Sequence, residues 1–237
     1  MSDNETVTHH RVCHLCEAMC GLVIQTKGAK VVDIRGDRAD PLSRGHICPK
    51  AVALQDIHED PDRLRKPLKR VRSAPGVYHH EAIEWGEAFD LAADALAATI
   101  RDHGVDAVGA YFGNPAVHNY GMLTHQRNLF RHIRTRNRFS ATSVDQLPHH
   151  LVSLWCFGHM LLQPIPDVDR THYFLMLGAN PLASNGSLWT VPDVRRRLKD
   201  LQARGGKLVV IDPRRTETAE MASEHHFIKP GTDATFL

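Results

Sequence analysis

Cys13, Cys16 and Cys20 stand as C-x2-C-x3-C, and Cys48 follows after 27 intervening residues. Three thiolates packed into eight residues, closed by a distant fourth, can cage a cubane iron–sulfur cluster from one tight loop plus one returning segment. Soft thiolate sulfur is the donor such clusters take, and a proline after the last ligand, here Pro49, is a frequent companion. Structural zinc is the alternative chemistry. Four-cysteine zinc sites are usually built from two separated C-x2-C knuckles, and here the second knuckle is missing because Cys48 stands alone. The remaining cysteine, Cys156, lies among Leu154, Trp155 and Phe157 and reads as a small buried hydrophobe.

A second set of chemically able residues falls just after apolar, β-like runs. Leu177-Gly178-Ala179-Asn180-Pro181 follows Tyr173 to Leu177; Gly178 allows close backbone approach, and Asn180 offers a donor and an acceptor. Asp212-Pro213-Arg214-Arg215-Thr216 follows Lys207 to Ile211, where a carboxylate suits a ribose diol and an arginine suits phosphate. Lys229-Pro230-Gly231-Thr232-Asp233 follows His226 to Ile228, and Asp233 has the acceptors that a guanine edge requires. Each alone is a plain turn. Together they form a nucleotide-shaped constellation that lacks the G-x-G-x-x-G of a nicotinamide site, which points to a nucleotide-bearing cofactor. The 17 histidines include pairs at 9–10, 79–80, 149–150 and 225–226. Adjacent side chains diverge on a strand or a helix, so most of these histidines read as surface or loop residues.

The elements that must hold these residues can be read from periodicity. The runs at 21–25 and 30–34 flank Lys27-Gly28-Ala29 and predict a hairpin beside the cysteines. A short helix is expected at 49–60, and the basic stretch 63–72, between prolines, reads as a linker. From Trp85, apolar residues at three- and four-residue steps (Ala88, Leu91, Ala92, Leu96, Ile100) predict a long amphipathic helix that stops at Gly104. A strand from Asp106 into a Gly-Asn-Pro loop at 113–115 and a helix at 119–134 follow. Strands at 172–177, 207–211 and 225–229, with a helix at 191–204, continue the alternation that implies a parallel sheet with covered faces. The expected fold is α/β: a small β-rich cluster module, then an α/β parallel-sheet region that binds the cofactor.

Composition narrows the partners. The 237 residues are 42% hydrophobic and 24% charged, with a formal net charge of +2, which argues for neither nucleic acid nor an anionic membrane as main partner. No stretch approaches the roughly 20 apolar residues of a membrane span. The polar start, without an apolar h-region or a twin-arginine pair, leads us to expect a cytoplasmic protein, where clustered cysteines serve as metal ligands rather than disulfides.

At this point the residues resemble a known family. The cluster motif at 13–48, Trp85-Gly-Glu-Ala, Gly178-Ala-Asn-Pro, Ile211-Asp-Pro-Arg-Arg-Thr-Glu-Thr-Ala and Gly231-Thr-Asp occur in the order found in the first third of molybdopterin oxidoreductases, the superfamily of dimethyl-sulfoxide reductases, formate dehydrogenases and nitrate reductases. The resemblance implies a [4Fe-4S] cluster on Cys13, Cys16, Cys20 and Cys48. It also implies a bis(molybdopterin guanine dinucleotide) cofactor carrying molybdenum or tungsten. Lys50 matches the family lysine between cluster and pterin, an electron relay. Gly178, Asn180, Ser184, Asp212, Arg214, Gly231 and Asp233 match positions that hold the guanine dinucleotide. The implied organisation is a cluster module over 1–60, the first part of the α/β domain over 61–138, and the start of the dinucleotide-binding domain over 139–237. On this reading the chain is truncated, its C-terminal domains are missing, it should not turn over alone, and core apolar surface is left exposed.

The segment around Phe139 to Leu151 resembles the stretch that delivers a protein ligand to the metal in formate dehydrogenases. No cysteine falls at the matching position, so Ser143 and Asp145 are the candidate ligands, with His149 or His150 as proton carriers near neutrality. The implied function is electron exchange between a small substrate, formate or an oxyanion, and the cluster, with a redox partner docking near the cluster module. Two other classes stay open: a non-catalytic electron-transfer subunit of the same fold, and a zinc-stabilised nucleotide-binding module.

Overall fold

The computed structural model describes residues 5–113, 116–185 and 187–237. They form two compact units, one made of the chain up to Gln55 together with His149–Leu237, the other of Asp56–Pro148.

The first unit opens with an antiparallel sheet in the order β1-β2-β3, from Thr6–Val12, Gly21–Lys27 and Lys30–Gly36. The β2–β3 hairpin is the expected one. β1 was not anticipated, because Thr8, His9 and His10 interrupt any apolar alternation; it holds its place by full pairing from Thr6↔Lys27 to Val12↔Gly21. That register makes the cysteine loop the connection of a hairpin. Leu22 and Ile34 bury a small core with Ala18, Ala51 and the thiols of Cys13 and Cys20. Pro49–Val52 (α1) and Leu54–Glu59 (α2) follow, the first with Pro49 at the position that needs no amide hydrogen.

The second unit starts with a correction. The basic stretch expected as a linker is the strand β4 (Leu68–Ala74), paired antiparallel with β5 (Val77–Ala82) through a turn at Pro75-Gly76. Charge hid the strand: Lys69, Arg70 and Arg72 are exposed, and the pairing is supported by Arg70 lying over the Tyr78 ring at 4.5 Å. Trp85–His103 forms the long helix α3, ended at Gly104 as expected. The next strand is shorter than expected. Val105–Ala107 is drawn into a 3-10 turn, with the Asp106 carboxylate accepting from the Arg136 backbone and guanidinium, and only Ala110–Phe112 (β6) remains extended. β6 runs parallel to β7 (Arg138–Ser140), with α4 (Tyr120–Ile133) between them. The loop expected at 113–115 lies mostly outside the described residues. Thr142–Asp145 (α5) ends this unit, and α6 (Leu147–Phe157) leads out of it. Among the described residues of the unit, only Phe130, Ile133 and Thr135 are buried. Trp85, Phe89, Tyr111 and Tyr120 are all more than half exposed.

The first unit resumes with the parallel sheet that the alternation called for, in the order β10-β9-β8, from Tyr173–Leu177 (β8), Lys207–Ile211 (β9) and Glu224–His226 (β10). Helix α8 (Val194–Ala203) crosses over from β8 to β9 and packs Val194, Leu198 and Leu201 onto Leu208 and Val210. Single helical turns sit in the loops read as irregular: α7 (Pro181–Ser184), α9 (Glu217–Glu220) and α10 (Asp233–Phe236).

Leu198 is fully buried at the centre of this core. Leu198→Ala should destabilise the chain by about 2–5 kcal/mol, the cost of lost transfer plus a cavity, read as a lower urea midpoint with unchanged slope.

Candidate functional site

The three N-terminal cysteines share one loop closed at its base. The Cys13 amide donates to the Cys20 carbonyl at 2.8 Å, continuing the β1–β2 ladder by one rung, so the loop cannot open without breaking the sheet. Cys13 and Cys20 are buried, Cys16 is half-buried, and Cys48 arrives half-buried as the residue preceding α1. The thiols feel one another. Burial pushes Cys20 up to about 11, and the neighbouring Cys13, Cys16 and Cys48 add to it. Burial likewise raises Cys13; a hydrogen bond from the Leu15 backbone and, less, the nearby Lys50 cation pull it back only in part. Lys50 itself is exposed on the first turn of α1. Among the described residues, no three His, Cys, Asp or Glu side chains are gathered at the spacing of a single metal ion.

Cys48 is brought back by a strap, residues 37–47, whose anchors the sequence reading did not single out. Asp40 accepts from the backbone and hydroxyl of Ser43 and, at 3.3 Å, from the amide of Gly21; Ser43 Oγ accepts from the same Gly21 amide at 3.0 Å. The Ser43 hydrogen bonds hold the Asp40 carboxyl below its ordinary value of 3.8. Two close approaches seat the strap. A Cβ on Gly21 would lie 2.6 Å from that of Asp40, and one on Gly36 would lie 2.1 Å from the Gly45 carbonyl oxygen. The available signal was Asp40-Pro-Leu-Ser, an Asp-led turn.

The sheet gathers the candidate dinucleotide residues beyond the carboxyl ends of its strands, where ligands of open α/β folds bind. Gly178 ends β8 with φ +59, a backbone that L side chains rarely adopt, and nothing stands within 4 Å of where its Cβ would be. Asn180 is held on both sides of its amide. Nδ2 donates to Glu217 at 2.7 Å, and Oδ1 accepts from the Thr218 hydroxyl at 2.7 Å and the Thr218 amide at 3.3 Å. The buried Thr218 hydroxyl also accepts from the Leu182 amide, so the loops after β8 and β9 form one clasp. Ser184 closes on the Asn180 carbonyl at 3.4 Å. Asp212, 7% exposed, accepts the Arg214 amide at 2.8 Å, while the Arg214 side chain is free to solvent and helps hold Glu217 ionised. The main lowering of Glu217 comes from its own backbone amide, then from Asn180. Gly231 (φ +80) and Asp233 are exposed at the start of α10.

The remaining candidates stand elsewhere. Ser143 and Asp145 lie exposed on α5 in the other unit; Ser143 Oγ donates to the Ser140 carbonyl at 3.0 Å. His149 is exposed. His150 is buried rather than on the surface, with Nδ1 sharing a hydrogen bond with the Met160 carbonyl at 2.9 Å. Cys156 is exposed, not buried, because α6 turns that face outward with Trp155.

Comparison with known proteins adds an independent line. The family model described as molybdopterin oxidoreductase Fe4S4 domain matches residues 6–59, and that described as molybdopterin oxidoreductase matches 63–237. The periplasmic nitrate reductase of Desulfovibrio desulfuricans is 26% identical over 95% of this chain and 29% of its own length. The F420-dependent formate dehydrogenase 2 subunit alpha of Methanococcus maripaludis is 27% identical over 96% of this chain and 32% of its own. The structure of acetylene hydratase from Pelobacter acetylenicus superposes with a TM-score of 0.67 at 27% identity, over 91% of this chain and 29% of that one. The chain thus spans about a third or less of the length of these relatives. No helix among the described residues is long and apolar enough to cross a membrane.

Two outcomes follow for the strap. Gly36→Ala forces backbone apart and should cost about 1–3 kcal/mol in urea unfolding. Asp40→Asn should lower stability at pH 7. Folding depresses the Asp40 carboxyl, so its contribution is present above the ordinary value of 3.8 and is lost as pH falls through the lower native value. The gap between wild type and Asp40→Asn should therefore narrow as the pH of an acid-titrated unfolding series is taken progressively below 3.8.

Proposed function

The chain belongs to the molybdopterin oxidoreductase family, and from that premise we propose that Cys13, Cys16, Cys20 and Cys48 hold its [4Fe-4S] cluster while the loops after β8, β9 and β10 hold part of a bis(molybdopterin guanine dinucleotide) cofactor of molybdenum or tungsten. The carrying observation is that one compact unit contains both the closed cysteine hairpin with its returning Cys48 and the parallel sheet whose strand ends bear Gly178, Asn180, Asp212 and Arg214. When bound, these groups supply two-electron exchange with a small substrate and one-electron exit.

The chain's own residues bind and tune. Buried thiols that resist ionisation need a cationic group to become thiolates, and a polynuclear iron core supplies it. Lys50 places a positive charge beside Cys13, where it would favour the reduced, more negative cluster. Asp212 and Arg214 offer a buried acceptor and a solvent-facing cation to a ribose and its diphosphate. The Asn180–Thr218–Glu217 clasp shapes that cradle. Ser143 and Asp145 remain the candidate metal ligands. Formate or an oxyanion is the substrate class we assign, in line with the formate dehydrogenase and nitrate reductase relatives. A redox partner would dock beside the cysteine loop, where Cys16 and Lys50 approach solvent. We place the protein in the cytoplasm, where the thiols reach iron reduced.

The test is an anaerobic assay of iron, acid-labile sulfide and zinc on the purified chain, with EPR after dithionite reduction. About four irons and four sulfides with a cubane-type signal support the assignment. Zinc without sulfide would sink it. Lys50→Met should keep the cluster and lower its midpoint potential, because the reduced state loses a stabilising cation; an unchanged potential would remove Lys50 from the electron path.

A further inference from the structure

The strap that carries Cys48 is gripped a second time, from outside its own sheet. Arg197 lies on α8, one residue before the buried Leu198, and its side chain is only 13% exposed. Its Nη1 donates to Asp169 Oδ2 at 2.8 Å, and its Nη2 donates to the Leu42 carbonyl in the strap. From the strap, Arg44 Nη2 reaches the same Asp169 oxygen at 3.0 Å. Asp169 is itself braced: Arg204 donates to the carbonyls of Val168 and Thr171, and the Trp189 indole donates to that of Pro166 at 2.9 Å. At the joint, Arg44 (φ +52) and Gly45 (φ +85) hold left-handed backbone, a conformation that persists in a non-glycine residue only when its surroundings over-determine it.

We propose that Arg197 is a positioning residue for the metal centre: it pins the strap, and with it the sulfur of Cys48, to the helix that packs under β9. This rests on the cluster assignment above. The guanidinium suits the task because its planar fork serves a carboxylate and a carbonyl at once, whereas an ammonium of the same charge is a single point. Residue identity and burial separate the two arginines. Arg44 is 56% exposed and makes one contact to Asp169, so it contributes little. Arg197 makes two contacts out of solvent and ties two segments 155 residues apart in sequence. The consequence is coupling: retention of the cluster depends on the fold of the dinucleotide-binding sheet, although none of its residues ligates iron.

The experiment loads the full chain, wild type and variants, anaerobically with iron and sulfide. It then follows iron loss to a chelator, the cluster midpoint potential by EPR titration, and urea unfolding of the metal-free chain. Arg197→Met should lose iron about tenfold faster and shift the midpoint potential, the range seen when outer-shell partners of metal ligands are removed. Arg197→Lys should recover part of both effects, and Arg44→Ala should change the rate a few-fold at most. If Arg197→Met lowers only the urea midpoint and keeps wild-type iron loss and potential, the positioning role is wrong and Arg197 is a scaffold residue. Should Arg197→Met fail to fold, Asp169→Asn gives the same comparison with the Leu42 contact kept. A wild type that takes up no iron or sulfide overturns the cluster assignment first, and this inference only through it.

Discussion

The arrangement depends on one steric constraint: Gly36 must touch the Gly45 carbonyl with no room for a methyl group between them. The return of Cys48 towards the hairpin depends on that contact. Three sulfurs in a hairpin loop are local and come almost without entropy cost once β1 pairs β2. The fourth is separated from them by 27 residues, and its delivery requires the chain to turn back across the hairpin and be held there. The strap is held by backbone contact at Gly36, by Asp40 and Ser43 at Gly21, and by Arg197 from the helix behind it. None of these groups can reach metal. They convert a sequence separation into a spatial coincidence.

Electrostatics then explains why the place is suited to a cationic core rather than to bare thiols. Desolvation penalises the thiolates of Cys13 and Cys20, and neighbouring thiolates would add to it, so burial leads the upward push on both. Lys50 is too exposed to offset this. Buried thiols of this kind are poor at holding charge by themselves, and on the proposed assignment a cationic core would offset that, which would link folding to metal uptake.

How much of this was legible in the sequence divides along physical lines. Periodic segments with apolar faces, α3, α4, α8 and the strands β2, β3, β8 and β9, were read at nearly their observed bounds, because a repeating pattern averages over many residues. The cysteine loop and the loops after the parallel strands could be located in the sequence because their residue types and spacing are rare. Elements without apolar contrast were not: β1 carries two adjacent histidines, and β4 carries Lys69, Arg70 and Arg72 among its seven residues, so both depend on partners that spacing does not reveal. Cys156 and His150 were misplaced for a related reason. Burial on a helix depends on what packs against it, and the apolar neighbours of Cys156 turned out to be exposed themselves. Thr218 and Asp169 left no local signal, because each matters only through a distant loop.

Asn180 shows how a residue's chemistry and its role come apart. Its amide looked free to read a ligand, yet both ends are engaged by Glu217 and Thr218. Donor and acceptor capacity that is already used inside the protein cannot also discriminate a nucleotide without breaking the clasp. What the clasp leaves facing outward is backbone at Gly178, the Glu217 carboxylate and the Arg214 guanidinium. The shape of these strand ends is thus set by a clasp in which the ionised Glu217 is itself a partner, with the Arg214 guanidinium exposed nearby. At the cysteines the backbone contact at Gly36 acts together with two charged groups, the Asp40 carboxylate and the Arg197 guanidinium, to set the geometry. In both halves of the unit, residues proposed to do chemistry are positioned by others, Thr218 and Asp40 among them, for which no chemistry is proposed.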